Sequence, residues 1–89
     1  MVAEPGARPG AGSGRIVLVE PAVRQVGALD AAETRRVDAV LGAIAADPGL
    51  GRPIPETLLC DHVDPGTGVR VVYYATALRS LVLVVYVEV

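Results

Sequence analysis

The chain has 89 residues, enough for one small domain, and its eight arginines face ten acidic residues for a formal charge of −2. It has no lysine, no Phe, no Trp and three tyrosines. This argues against tight autonomous nucleic-acid binding, which needs a basic stripe and stacking rings. A single cysteine, Cys60, excludes an internal disulfide and fits a reducing compartment.

Residues 1–14, MVAEPGARPGAGSG, are rich in Gly and Pro and, after Met1, hold no apolar side chain larger than Val2. Such a segment cannot offset its ordering entropy, so a disordered tail is expected there and a folded domain over residues 15–89. A domain of that size buries a modest share of its surface and gains from a partner that covers part of it. Residues 15–20, RIVLVE, form a β-branched run and are expected as a strand. Pro21 to Ala28 places Val23 and Val26 three apart, as in a short helix. Asp30 is the expected N-cap of a second helix, with Glu33 completing a capping box. Val37, Val40, Leu41 and Ile44 then recur as one apolar stripe until Asp47-Pro48-Gly49 stops the helix near Ala46.

Gly49 to Pro55 holds two Gly and two Pro and is expected as a loop. Three strands follow, Thr57–Val63, Val69–Ala75 and Ser80–Val87, joined by turns at Asp64–Gly68 and Thr76–Arg79. The last run is apolar on both faces, which suits a central strand. It is also far shorter than the ~20 residues of a membrane-spanning helix. With no basic-then-apolar N-terminal pattern, a soluble cytoplasmic protein is expected. The fold class is α+β, in the order β-α-α-β-β-β, an antiparallel sheet with a helical hairpin packed on one face.

If Asp64–Gly68 is a five-residue turn, Val63 pairs with Val69, His62 with Arg70 and Asp61 with Val71. Leu59, Asp61, Val63, Val69, Val71 and Tyr73 then face the helices. Cys60, His62, Arg70, Val72 and Tyr74 face the open side, so His62, Arg70 and Tyr74 converge there as candidate catalytic residues. An arginine within a β-branched strand faces water, pairs with a carboxylate such as Asp64 or Glu88, or awaits an anion. His62 titrates in the range suited to acid–base work, and Tyr74 and Tyr86 offer rings that stack on bases or pack across strands. Cys60 and His62 lack further Cys or His ligands, so no metal site and no cofactor is expected.

The element order, the helix ending in Asp47-Pro48-Gly49 and the segment Gly68-Val69-Arg70-Val71-Val72-Tyr73 resemble the RelE/ParE superfamily of toxins from type II toxin–antitoxin modules. The resemblance spans residues 15–89. It implies a cognate antitoxin partner and, in the ribosome-dependent nuclease branch, mRNA cleavage on the ribosome, with Arg70 at the position of a catalytic arginine. Where that branch carries Lys or Arg on the preceding strand, this chain has Asp61, His62 and Asp64. Two further readings are therefore implied: a ParE-like inhibitor of DNA gyrase without nuclease activity, and a catalytically decayed member that only binds an antitoxin.

Overall fold

The computed structural model describes residues 15–76 and 80–89. The expected N-terminal tail and most of the expected Thr76–Arg79 turn lie outside the described residues. The elements run β1 (Arg15–Leu18), α1 (Ala22–Gly27), α2 (Ala31–Ala46), a 3-10 turn (Pro48–Leu50), β2 (Arg52–Pro53), β3 (Cys60–Val63), β4 (Arg70–Ala75) and β5 (Leu81–Glu88). The five strands form one sheet in the order β1-β5-β4-β3-β2. All neighbours are antiparallel except β1 and β5, which run parallel.

Helix α2 forms where the stripe and the cap require it. The Asp30 carboxylate accepts from the Glu33 N–H at 2.8 Å, and the Glu33 carboxylate accepts from the Asp30 N–H at 2.9 Å, satisfying two donors at the helix start. The stripe Val37, Val40, Leu41 and Ile44 is buried, together with Ala45. It meets Ile16 of β1, Val71 and Tyr73 of β4 and Val82, Val84 and Val87 of β5 in a single core. Each such side chain contributes about 1.5–3 kcal/mol of transfer free energy. Strand β5 lies between β1 and β4, the central place its two-sided apolarity called for. Among the described residues no helix is long and apolar enough to cross a membrane.

Several strand ends shift by a residue or two from the expected bounds, and two larger differences have local reasons. Strand β3 starts at Cys60 rather than Thr57. The Thr57 hydroxyl donates to the Ile54 carbonyl at 2.9 Å and accepts from the Leu59 N–H at 3.0 Å, so this threonine closes a turn instead of joining a ladder. Glu56 in that turn has φ 65. Within the expected Gly49–Pro55 loop, Arg52 and Pro53 add a two-residue strand on the outer edge of β3. Pro53 is tolerated because Arg52 faces Asp61 and the Ile54 N–H bonds the Leu59 carbonyl, leaving proline at the intervening position that donates nothing to β3.

Tyr73, fully buried in β4, ties this edge to the body. Its hydroxyl donates to the Pro48 carbonyl at 2.6 Å and accepts from the Gly51 N–H at 2.8 Å. Gly51 has to be glycine for space: a Cβ there would stand 2.6 Å from that hydroxyl and 3.0 Å from the Cys60 Cβ.

Candidate functional site

The open face of the sheet is set by two register devices. The first is the β3–β4 hairpin. The Asp64 N–H donates to the Val69 carbonyl at 2.9 Å and the Gly68 N–H donates to the Asp64 carbonyl at 2.7 Å, so the ladder extends to Asp64 and only residues 65–68 loop out. One Asp64 carboxylate oxygen accepts from the Thr67 N–H at 2.9 Å and the Thr67 hydroxyl at 2.8 Å, and Gly68 turns the chain at φ +76. The Thr67 hydroxyl, followed by its backbone N–H, holds the Asp64 carboxyl below its ordinary value.

This shorter loop corrects the expected register. Val63 pairs with Arg70, His62 with Val71, Asp61 with Val72 and Cys60 with Tyr73. A one-residue slip exchanges the faces of a strand. The β4 assignment stands, with Val71 and Tyr73 in the core and Arg70, Val72 and Tyr74 on the open side. On β3 the faces exchange: Asp61 and Val63 join Arg70, whereas Cys60 and His62 lie on the helix side. The expected convergence of His62 with Arg70 and Tyr74 is therefore not formed.

The second device is a β-bulge in the β4–β5 ladder. Arg70 pairs with Glu88, Val71 with Val87 and Val72 with Tyr86, but Tyr73 then pairs with Val84, leaving Val85 as the extra residue. The buried residues of β5 change phase across it, from Val82 and Val84 to Val87. In an unbroken strand Tyr86 would share the core phase of Val82 and Val84; the bulge turns it to the open face, one strand from Arg70. The shifted phase is held from the other edge. Strand β1 ends at Leu18, opposite Val84. Beyond it the Val87 N–H donates to the Gln25 Oε1 of α1 at 2.7 Å.

The open face thus carries Arg52, Asp61, Arg70 and Glu88 across β2 to β5, with Tyr86 and Tyr74 alongside. Arg70 is engaged: its Nε and Nη2 donate to the two Asp61 carboxylate oxygens at 2.9 and 2.9 Å. The partner is Asp61, which the expected register had placed on the other face. The pair is open to water, with side-chain exposures of 45% and 27%. The Asp61 carboxylate, by hydrogen bonding and by charge, holds the Arg70 guanidinium above its ordinary value. The Tyr86 hydroxyl donates to Glu88 Oε1 at 3.3 Å.

A shallow hollow of about 510 Å³ at the β2–β3 edge is lined by Leu50, Arg52, Asp61, His62 and Val63. Its lining includes Asp61 and His62, which are adjacent on β3 and so belong to opposite faces of the strand. Among the described residues no group of three or more His, Cys, Asp or Glu side chains could hold a metal ion. The arrangement presents a guanidinium fork, held by Asp61, and two phenol rings on one face. Sequence reasoning undervalued Tyr86 and Asp61. For Asp61 the signal was the ability of Asp64 to close its own loop; for Tyr86 the uniformly apolar run of β5 gave none.

No protein-family model and no curated protein sequence matches the chain. Solved structures do. The intact RelBE toxin–antitoxin complex of E. coli matches with TM-score 0.66 and 16% identity over 82% of this chain and 92% of that one. The RelBE2 toxin–antitoxin complex of Mycobacterium tuberculosis matches with TM-score 0.70 and 18% identity over 85% of this chain and 96% of that one. A double arginine-to-alanine mutant of E. coli RelE in the free state matches with TM-score 0.65 and 18% identity over 85% and 82%. The chain has the fold of the RelE toxins.

Proposed function

We propose that this chain is the toxin component of a type II toxin–antitoxin module, bound by a cognate antitoxin, and that it inhibits translation by ribosome-dependent mRNA cleavage. The observation that carries the reading is Arg70. It stands on the solvent-open face of a RelE-like sheet, in the Gly68-Val69-Arg70-Val71-Val72-Tyr73 segment that resembles the family's arginine strand, with Tyr86 and Tyr74 on the same face. Two of the similar structures are toxin–antitoxin complexes, which supports a protein partner for this chain.

In this reading Arg70 offsets charge on the scissile phosphate, and the tyrosines present rings to the flanking bases. The row Arg52, Asp61, Arg70 and Glu88 is electrically balanced, so it does not gather RNA unaided. That fits a nuclease whose substrate is delivered by the ribosome. His62 pairs with Val71 on the other face of the sheet from Arg70 and is given no part in proton transfer at Arg70.

One observation favours a second reading. The Arg70 guanidinium already has a bidentate carboxylate partner, which suits a protein-directed inhibitor of the DNA gyrase type, or a member that only binds its antitoxin. Induced expression in a bacterial host separates these, with growth and labelled amino-acid incorporation followed for the wild type and Arg70→Ala. Arrest with a prompt fall in incorporation, relieved in a soluble Arg70→Ala protein, supports cleavage. Arrest with incorporation initially intact and a DNA-damage response supports a gyrase-type target. Normal growth with soluble protein removes both toxin activities.

A further inference from the structure

We infer that Asp61 is a built-in competitor at an anion site formed by Arg70 and Arg52, and that the ligand of this site is an RNA phosphodiester. The inference rests on the reading of the open face as the surface that engages RNA. Three observations lead to it. The Arg70 fork donates both of its parallel bonds, from Nε and Nη2, to Asp61 Oδ1 and Oδ2 at 2.9 and 2.9 Å. This is the geometry in which a guanidinium holds two oxygens of a phosphate. The carboxylate therefore occupies the place that a phosphate would take. Next, Asp61 lies directly opposite Arg52 in the β2–β3 ladder, so both side chains share the open face and the carboxylate stands between two arginine positions. Finally, the Arg70–Asp61 pair is solvent-exposed. An exposed pair is weakly held, so an incoming anion exchanges with the carboxylate at modest cost.

The competitor acts in two ways. It fills the fork in the free protein, and its negative charge repels any phosphate that approaches Arg70 or Arg52. Free Arg70 would be a standing anion site on the protein surface; paired with Asp61 it answers only to a phosphate presented at high local concentration and in register. The pair thus sets a threshold for engagement.

The test uses the full chain and a short fluorescently labelled single-stranded RNA, titrated at two salt concentrations with the wild type, Asp61→Asn, Arg70→Ala and the double variant. Asp61→Asn keeps the size of the side chain and removes its charge. It is expected to tighten binding about five-fold, the Boltzmann factor of one unit-charge repulsion at roughly 4 Å in water. It should also steepen the salt dependence by about one phosphate contact. Asp61→Ser should behave alike. In the Arg70→Ala background the gain should shrink, because no fork remains to be released and only the repulsion at Arg52 is left. An equal gain with and without Arg70 would reduce the effect to net charge and overturn the inference, as would unchanged affinity in both Asp61 variants. Growth arrest on induction is read separately. Tightening in a protein that arrests nothing keeps the site and removes the toxin reading, and arrest with unchanged RNA affinity does the reverse.

Discussion

Replacing Tyr73 by Phe removes one oxygen and nothing else, and its cost can be worked from the contacts. The hydroxyl bridges the Pro48 carbonyl at 2.6 Å and the Gly51 N–H at 2.8 Å, on a ring that is fully buried. Each hydrogen bond contributes about 1 kcal/mol net, and a partner left dry costs about 1–3 kcal/mol. Pro48 and Gly51 are half-buried, so water repairs part of the loss and about 2 kcal/mol remains. At roughly 0.05–0.15 kcal/mol per residue, a domain of this length has on the order of 4–11 kcal/mol in all. The melting temperature should fall by about 8–16 °C, at roughly 4–8 °C per kcal/mol for a domain of this size. Urea titration and thermal melting followed by circular dichroism measure it. Gly51→Ala probes the same contact from the other side, since its Cβ would meet the hydroxyl at 2.6 Å. The two changes should be non-additive, because the alanine has already displaced the oxygen that the phenylalanine removes. A Tyr73→Phe loss below about 0.3 kcal/mol, or full additivity, would refute the tether. The consequence for the site is direct, because this tether places the segment that carries Arg52.

Other outcomes follow from the same geometry. Asp30→Ala removes the capping box of α2 and should cost about 1 kcal/mol in chemical denaturation. Gln25→Leu strands the Val87 N–H at the bulge and should cost about 1–2 kcal/mol, with a chemical-shift change at Tyr86 greater than at Tyr74. Asp64 titrates below 3.8, its ordinary value, chiefly through the Thr67 hydroxyl. A depressed carboxylate stabilises the fold above its unfolded value, and that stabilisation is lost as pH falls through the folded one. NMR titration of the Asp64 carboxylate should therefore show its midpoint moving up toward 3.8 in Thr67→Val, though not fully, since the Thr67 N–H still donates.

Much of the fold is legible in the sequence, because local chemistry and tertiary packing agree. Asp30 and Glu33 announce the start of α2, Val37, Val40, Leu41 and Ile44 its buried face, and Asp47-Pro48-Gly49 its end. The apolarity of Leu81–Val87 places β5 inside the sheet, between β1 and β4. The site was less legible, since its composition depends on register, and register turned on single residues. Asp64 looks like a turn residue, yet it closes the ladder with its backbone while its carboxylate caps the loop. That moved Asp61 beside Arg70 and took His62 away. The apolar run of β5 hides its bulge, because valine fits either face; the shift becomes visible only when Val87 and Gln25 are seen to meet across the sheet edge. Pro53 masked β2, since proline argues against a strand except at an outer position of this kind.

The most direct test of the central claim is a bacterial translation reaction supplied with the purified chain, with mRNA ends mapped by primer extension in the presence and absence of ribosomes. The account predicts new mRNA ends that require ribosomes, appear with the wild type and are largely lost with soluble, folded Arg70→Ala. Intact mRNA and undiminished translation at saturating protein would contradict cleavage, and cuts that persist in Arg70→Ala would remove Arg70 from the site.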